Sequence, residues 1–100
     1  MREAGSLRVA SNDGRMRIDR FLFFIRLAKS RTLAQSIIDE GHVRIDGKRI
    51  GKPSEEVRAG SVIALPLQGS VRVLRVLSLP ARRGPASEAR LHYKEISAPD

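Results

Sequence analysis

The apolar residues change their spacing at Gly41, and that change commits the chain to a fold with both helices and strands. Before it, Leu33, Ala34, Ile37 and Ile38 recur at the intervals of three and four that build one helix face. After it, Val43 and Ile45 alternate with His42 and Arg44, the interval of a strand with one face buried. Gly41 sits at the changeover, where a residue free to turn left-handed ends a helix. Ser30 stands where that helix needs a side-chain acceptor for its first free N–H groups. The spacing predicts a helix from Ser30 to Gly41 that feeds straight into a strand. An earlier helix is predicted to start with Asp19 as its cap, with Phe21, Leu22, Phe24, Ile25 and Ala28 on one apolar face. Ala28 and Lys29 form the short turn between the two.

The strand at Val43 returns at once, because Asp46-Gly47 is the dipeptide that two-residue hairpin turns favour. With those two as the loop, Ile45 pairs with Lys48, Arg44 with Arg49 and Val43 with Ile50, which buries Val43, Ile45 and Ile50 together. Pro53 and Ser54 break the pairing. Glu55 to Gly60 reads as a loop with Val57 plugging the core, Ser61 to Leu65 as a third strand, and Val71 to Leu79 as a fourth that Pro80 ends. Arg82 to Pro85 is a basic turn, and Pro85 is predicted to open a short helix running to about Tyr93. The fold class expected is α+β, with two N-terminal helices packed on a small, mostly antiparallel sheet and a short C-terminal helix. Residues 1–15 lack periodicity and read as a flexible extension, or an over-long start ahead of Met16. Residues 16–80 form the domain with its following strand, and 81–100 the basic turn, short helix and tail.

The chain has 100 residues, enough for one core, and carries 19 basic against 11 acidic side chains, a net charge of +8. Ten of the basic and six of the acidic residues fall between 17 and 58, so the excess belongs to the folded part and not to a detachable tail. Such a field favours a polyanion over a small metabolite. With no cysteine there is no disulfide, thiolate zinc site or Cys nucleophile, and no cofactor or metal is expected. The longest apolar runs, Phe21 to Ile25 and Val62 to Leu67, fall far short of the roughly 20 residues of a membrane span. No secretory pattern opens the chain. A cytoplasmic monomer with no membrane contact is expected.

Two places look built for anions. Arg44 and Arg49 face one another across the hairpin, and like charges so placed cost a few tenths of a kcal/mol, which an approaching phosphate reverses. The other reading is that both side chains splay into solvent. The start of the second helix brings its free N–H groups and dipole end together with Lys29, Ser30, Arg31 and Thr32, either as a phosphate site or as an ordinary capped terminus. There Arg31 reads as an exposed first-turn base whose loss leaves folding intact. Arg17 and Arg20 extend the patch, and Arg26 either joins it or pairs with Asp39 or Glu40. Phe21, Phe23 and Phe24 read as core, with Phe23 the one off the main apolar face. Ser30, His42, Asp39 and Glu40 make no hydrolase, since Ser30 is explained as a cap and nothing supplies an oxyanion hole. Gly41, Gly47 and Gly51 do not have the spacing of a nucleotide-binding loop. No catalytic residue is assigned.

Arg17-Ile18-Asp19, Leu22, Ser30-Arg31, Ala34, Ile38, Gly41-His42-Val43-Arg44-Ile45, Gly47-Lys48, Val57 and Gly60 together resemble the small RNA-binding domain named after ribosomal protein S4. Asp46 departs from the Asn usual before this Gly, which affects a base contact but not the turn. Beyond the domain, Arg82 to Ala89 and Tyr93-Lys94-Glu95 resemble the bacterial fifteen-kilodalton ribosome-associated heat-shock proteins, apart from the inserted Gly84 and the absence of their basic C-terminal helix. The resemblance implies a non-catalytic protein that binds ribosomal RNA of the large subunit and assists subunits blocked by a nascent chain on transfer RNA. It also leaves an alternative, the accessory module of an RNA-modifying enzyme such as a pseudouridine synthase. The RNA-facing residues it implies are Arg17, Arg20, Lys29, Ser30, Arg31, Gln35, Arg44, Lys48 and Arg49.

Overall fold

The computed structural model describes residues 14–96, so the expected extension up to Asp13 and the tail from Ser97 lie outside the described residues. In chain order the elements are β1 (Met16–Arg17), α1 (Ile18–Phe24), α2 (Arg31–Asp39), β2 (Val43–Ile45), β3 (Lys48–Ile50) and β4 (Glu56–Val57). They are followed by β5 (Val62–Leu67), β6 (Ser70–Val76), α3 (Ala86–Ala89), a 3-10 turn (Arg90–His92) and β7 (Tyr93–Glu95). Among the described residues, β1 and β4 form a two-stranded ribbon, and β3-β2-β5-β6-β7 form a five-stranded sheet in that order. All its pairings are antiparallel. This is the α+β arrangement the sequence predicts.

One core joins the helices to the sheet. Ile18, Phe21, Leu22 and Ile25 around α1, Ala34 and Ile38 of α2, and Val43, Ile63, Leu65 and Leu74 of the sheet are all buried in a single cluster. Burial of a side chain such as Phe21 or Leu22 contributes about 1.5–3 kcal/mol, which fixes how the helix pair sits on the strands.

The second helix and the hairpin follow their local chemistry. Ser30 caps α2 by accepting the Leu33 N–H at 3.0 Å. Gly41, at φ +87°, closes the helix by donating to the Ile38 carbonyl. Asp46 and Gly47 both have positive φ, as the hairpin turn requires, and the pairs are Val43 with Ile50, Arg44 with Arg49 and Ile45 with Lys48, as predicted. The Asp46 carboxylate accepts the Val62 N–H at 3.0 Å, so the residue that departs from Asn fastens the turn to β5.

Elsewhere the structure corrects the sequence reading. Asp19 is not the cap of α1; Arg17 is, and Asp19 lies in the first turn with its carboxylate accepting the Arg20 N–H. The helix stops at Phe24, short of Ala28, because Arg26 turns left-handed at φ +68°. The Arg26 N–H then reaches the Phe23 carbonyl and the Leu27 N–H the Leu22 carbonyl, a helix ending in which Arg occupies the place usual for Gly. Leu33 is 47% exposed and not on the buried face. Val57 does plug the core, but from β4, paired with Met16 of β1. The fourth strand ends at Val76, since the next two N–H groups donate to the His92 carbonyl. The C-terminal helix is one turn long, and Tyr93, expected at its end, is extended and pairs with Val76 as the sheet's last strand.

Candidate nucleic-acid interface

The expected site residues do not act independently, because three of them converge on one buried carboxylate. Asp19 has a side chain with no exposed surface. Arg17 grips it with both Nε and Nη2, at 3.0 and 2.9 Å. From α2, Arg31 donates through Nη2 at 3.3 Å and Gln35 through Nε2 at 3.0 Å. Arg31 and Gln35 are four residues apart, so they lie on one face of α2 and reach the same acceptor. The hub therefore ties α1 to α2 and holds two guanidinium groups, each a little over 40% exposed, at the seam between them.

Burial pushes the Asp19 carboxyl up, but the hydrogen bonds from Arg17, Gln35 and Arg31, with the Arg17 charge, outweigh this and hold it below the ordinary carboxylate value. Arg31 thus differs from the exposed first-turn base read from sequence: its Nη2 binds Asp19, and its Nε is buried without a protein partner among the described residues. Asp19 itself was missed as a hub. Its signal was weak, since an Asp at the head of a helix reads as a cap, and the partners twelve and sixteen positions on become neighbours only when the helices fold back.

The remaining cations divide. Arg20 lies over the Phe24 ring at 5.2 Å with its head exposed. Lys29 is exposed beside Ser30, where α2 begins with its first N–H groups. Arg44, Lys48 and Arg49 are exposed on the hairpin, with Arg44 also donating to the Gly47 carbonyl at 3.3 Å. Arg26 makes neither expected contact: its Nε donates to the buried Gly84 carbonyl at 2.6 Å. In return Arg83 donates to the Phe23 carbonyl at 3.0 Å and covers the Phe23 ring at 4.5 Å. The basic turn after β6 is therefore clamped to the end of α1, and Phe23 is engaged there.

Comparison with known proteins fits this geometry. The S4 domain model matches residues 16–63, which covers both helices, the hairpin and the start of β5. Small ribosomal subunit protein uS4 of Lacticaseibacillus casei is 47% identical over 49 residues, 49% of this chain and 24% of that protein. The heat shock protein 15 homolog of Aeromonas salmonicida is 35% identical over 89 residues, which are 89% of this chain and 67% of that protein. The trimeric structure of Vibrio cholerae heat shock protein 15 superposes with a TM-score of 0.77 at 30% identity, over 83% of each chain. The chain belongs to the heat shock protein 15 family. It spans about a quarter of the ribosomal protein and two thirds of the Aeromonas homolog. The match to the Aeromonas heat shock protein 15 homolog runs over 89 residues where the S4 domain model covers 16–63, so the likeness extends beyond the S4 domain.

Proposed function

We propose that this chain is a non-catalytic RNA-binding protein of the bacterial cytoplasm that binds ribosomal RNA of the large subunit. Its task on this reading is the recovery of subunits blocked by a nascent chain on transfer RNA. The observation that carries the proposal is the Asp19 hub, which presents Arg17 and Arg31 at the seam of α1 and α2 beside the Ser30-capped start of α2. Lys29, Arg20 and the hairpin residues Arg44, Lys48 and Arg49 supply further exposed charge, and Gln35 donates to the hub carboxylate from α2. Helix N-termini and preset guanidinium groups are the usual means of holding phosphate, because neither must be ordered at the moment of binding. The S4 domain match and the heat shock protein 15 relatives support the same reading.

One copy of the chain carries every residue of this interface, so the proposal is framed for a monomer, whereas the solved Vibrio protein is trimeric. Sedimentation of tagged protein in bacterial lysate with ribosomal subunits resolved is the test. Comigration with the large subunit, lost at high salt, is the expected result. Comigration with the small subunit alone, or with neither, overturns it.

A further inference from the structure

Arg75 of β6 stands directly opposite Lys94 of β7, and this repeats, on the far side of the sheet, the opposition of Arg44 and Arg49 on β2 and β3. The register puts all four on one face. Arg49 pairs with Arg44, Arg44 with Ala64 and Ala64 with Val73, while two positions along β5 Val62 pairs with Arg75 and Arg75 with Lys94. The core residues Val43, Ile63, Leu65, Leu74 and Val76 alternate with these and occupy the other face. All four cations are exposed.

The five strands contain one carboxylate among the described residues, Glu95, and it lies on the core-side face, where it pairs with Arg72 at 2.6 and 2.9 Å. On the core-side face Arg72 is thus paired and Lys48 stands alone at the β3 edge, whereas the outer face holds four cations in two repulsive pairs. Each such pair is destabilising by itself, so the arrangement does nothing for folding. Between the pairs the floor is made of Val62, Ala64 and Val73, which carry no charge.

We propose that this outer sheet face is a second contact surface for the RNA backbone, with Arg75 and Lys94 as its phosphate partners. The inference rests on the RNA-binding reading above and extends it beyond the S4 domain, since both residues lie after position 63. The two cation pairs are three strand spacings apart and offset by two residues along the strands, about 16 Å in all, so one phosphate cannot serve both but a run of several nucleotides can. No base edge is needed for this contact, and it is blind to sequence.

The test uses a labelled RNA stem-loop with a single-stranded arm, titrated over a salt series against the full chain, Arg75→Gln/Lys94→Gln, Arg75→Glu and, on the first surface at the helices, Arg20→Gln/Lys29→Gln. The expected result is at least a tenfold loss of affinity for the Arg75/Lys94 double variant, with the log–log salt slope smaller by about 1.4 to 1.8. Arg75→Glu faces Lys94 with an opposite charge, so its unfolding midpoint should hold or rise while binding falls, which separates lost contact from lost fold. Parent affinity and slope in the Arg75 and Lys94 variants, with binding lost in Arg20→Gln/Lys29→Gln, overturn this second surface and leave the first standing. Parent behaviour in every variant removes both. A change in sedimentation mass with RNA affinity intact makes the face a protein contact and also overturns the proposal.

Discussion

Arg31 reaches twelve positions back along the chain to place its Nη2 3.3 Å from the Oδ2 of Asp19. One guanidinium thereby serves two purposes, since the hydrogen bond joins α2 to α1 and the partly exposed head stays at the proposed interface. Arg31→Ala is expected to lower unfolding stability by about 1 kcal/mol, the usual worth of a part-exposed charged hydrogen bond, and to weaken RNA binding as well. A free surface base changes stability by less than about 0.5 kcal/mol. Urea unfolding of the variant and parent distinguishes the two, and an unchanged midpoint would break the proposed link between fold and site.

Asp19 also sets how the fold responds to acid. Because its folded-state pKa is held below the ordinary 3.8, the stability it contributes is complete above that value. As pH falls through 3.8 the unfolded chain takes up the proton first, and the contribution is lost until the folded carboxyl is protonated too. Glu95, held down by its hydrogen bonds from Arg72, adds an effect of the same sign. Stability measured by urea unfolding should therefore drop steeply below about pH 4. Asp19→Asn should be less stable at pH 7 and show a shallower fall in that range; parallel curves for the two proteins would count against the hub.

The parts of the fold legible in the sequence are those where one short stretch carries both its pattern and its stop signal. Ser30 to Gly41 has a cap, a period and a terminator, and Asp46-Gly47 alone fixes the hairpin register. The ribbon of β1 and β4 and the last strand, β7, have two or three residues each, too few for alternation to rise above chance. What holds them is pairing with distant partners such as Val57 and Val76. The site divides the same way. Exposed cations beside a cap or opposed across a turn could be placed by counting, whereas the convergence of Arg17, Arg31 and Gln35 on Asp19 depends on how α2 packs against α1. Arg26 went astray because its partner, the Gly84 carbonyl, is a backbone group fifty-eight positions away that no side-chain pattern reports.

That contact gives a prediction about the end of α1. Arg26 occupies a left-handed conformation that costs a non-glycine residue about 1–2 kcal/mol, offset by its bond to Gly84. Arg26→Ala keeps the unfavourable backbone and loses the bond, whereas Arg26→Gly loses the bond and relieves the backbone. The glycine variant should be the more stable of the two by about 1 kcal/mol in urea unfolding. This reverses the order that helix propensity gives, in which Ala exceeds Gly. If Arg26→Ala were the more stable, α1 would have to continue through this position in solution.

The opposed arginines of the hairpin should set stability and binding against each other. Arg44 and Arg49 are paired in register, both exposed, with no carboxylate within ion-pair distance among the described residues. Arg44→Glu turns this repulsive pair into an attractive one and should add about 0.2 to 1 kcal/mol to the fold. It also replaces a phosphate partner with a negative charge on the RNA face, which should weaken binding more than tenfold at moderate salt. Arg49→Glu, the mirror change, should do both as well, so the result does not hang on one side chain's conformation. Thermal unfolding and RNA titration on the same preparations of the parent and both variants make the measurement. A gain in stability with a loss of binding identifies a residue pair kept for its ligand. Were both variants to bind RNA as the parent does, Arg44 and Arg49 would be solvated surface charge, and the hairpin would lie outside the RNA face.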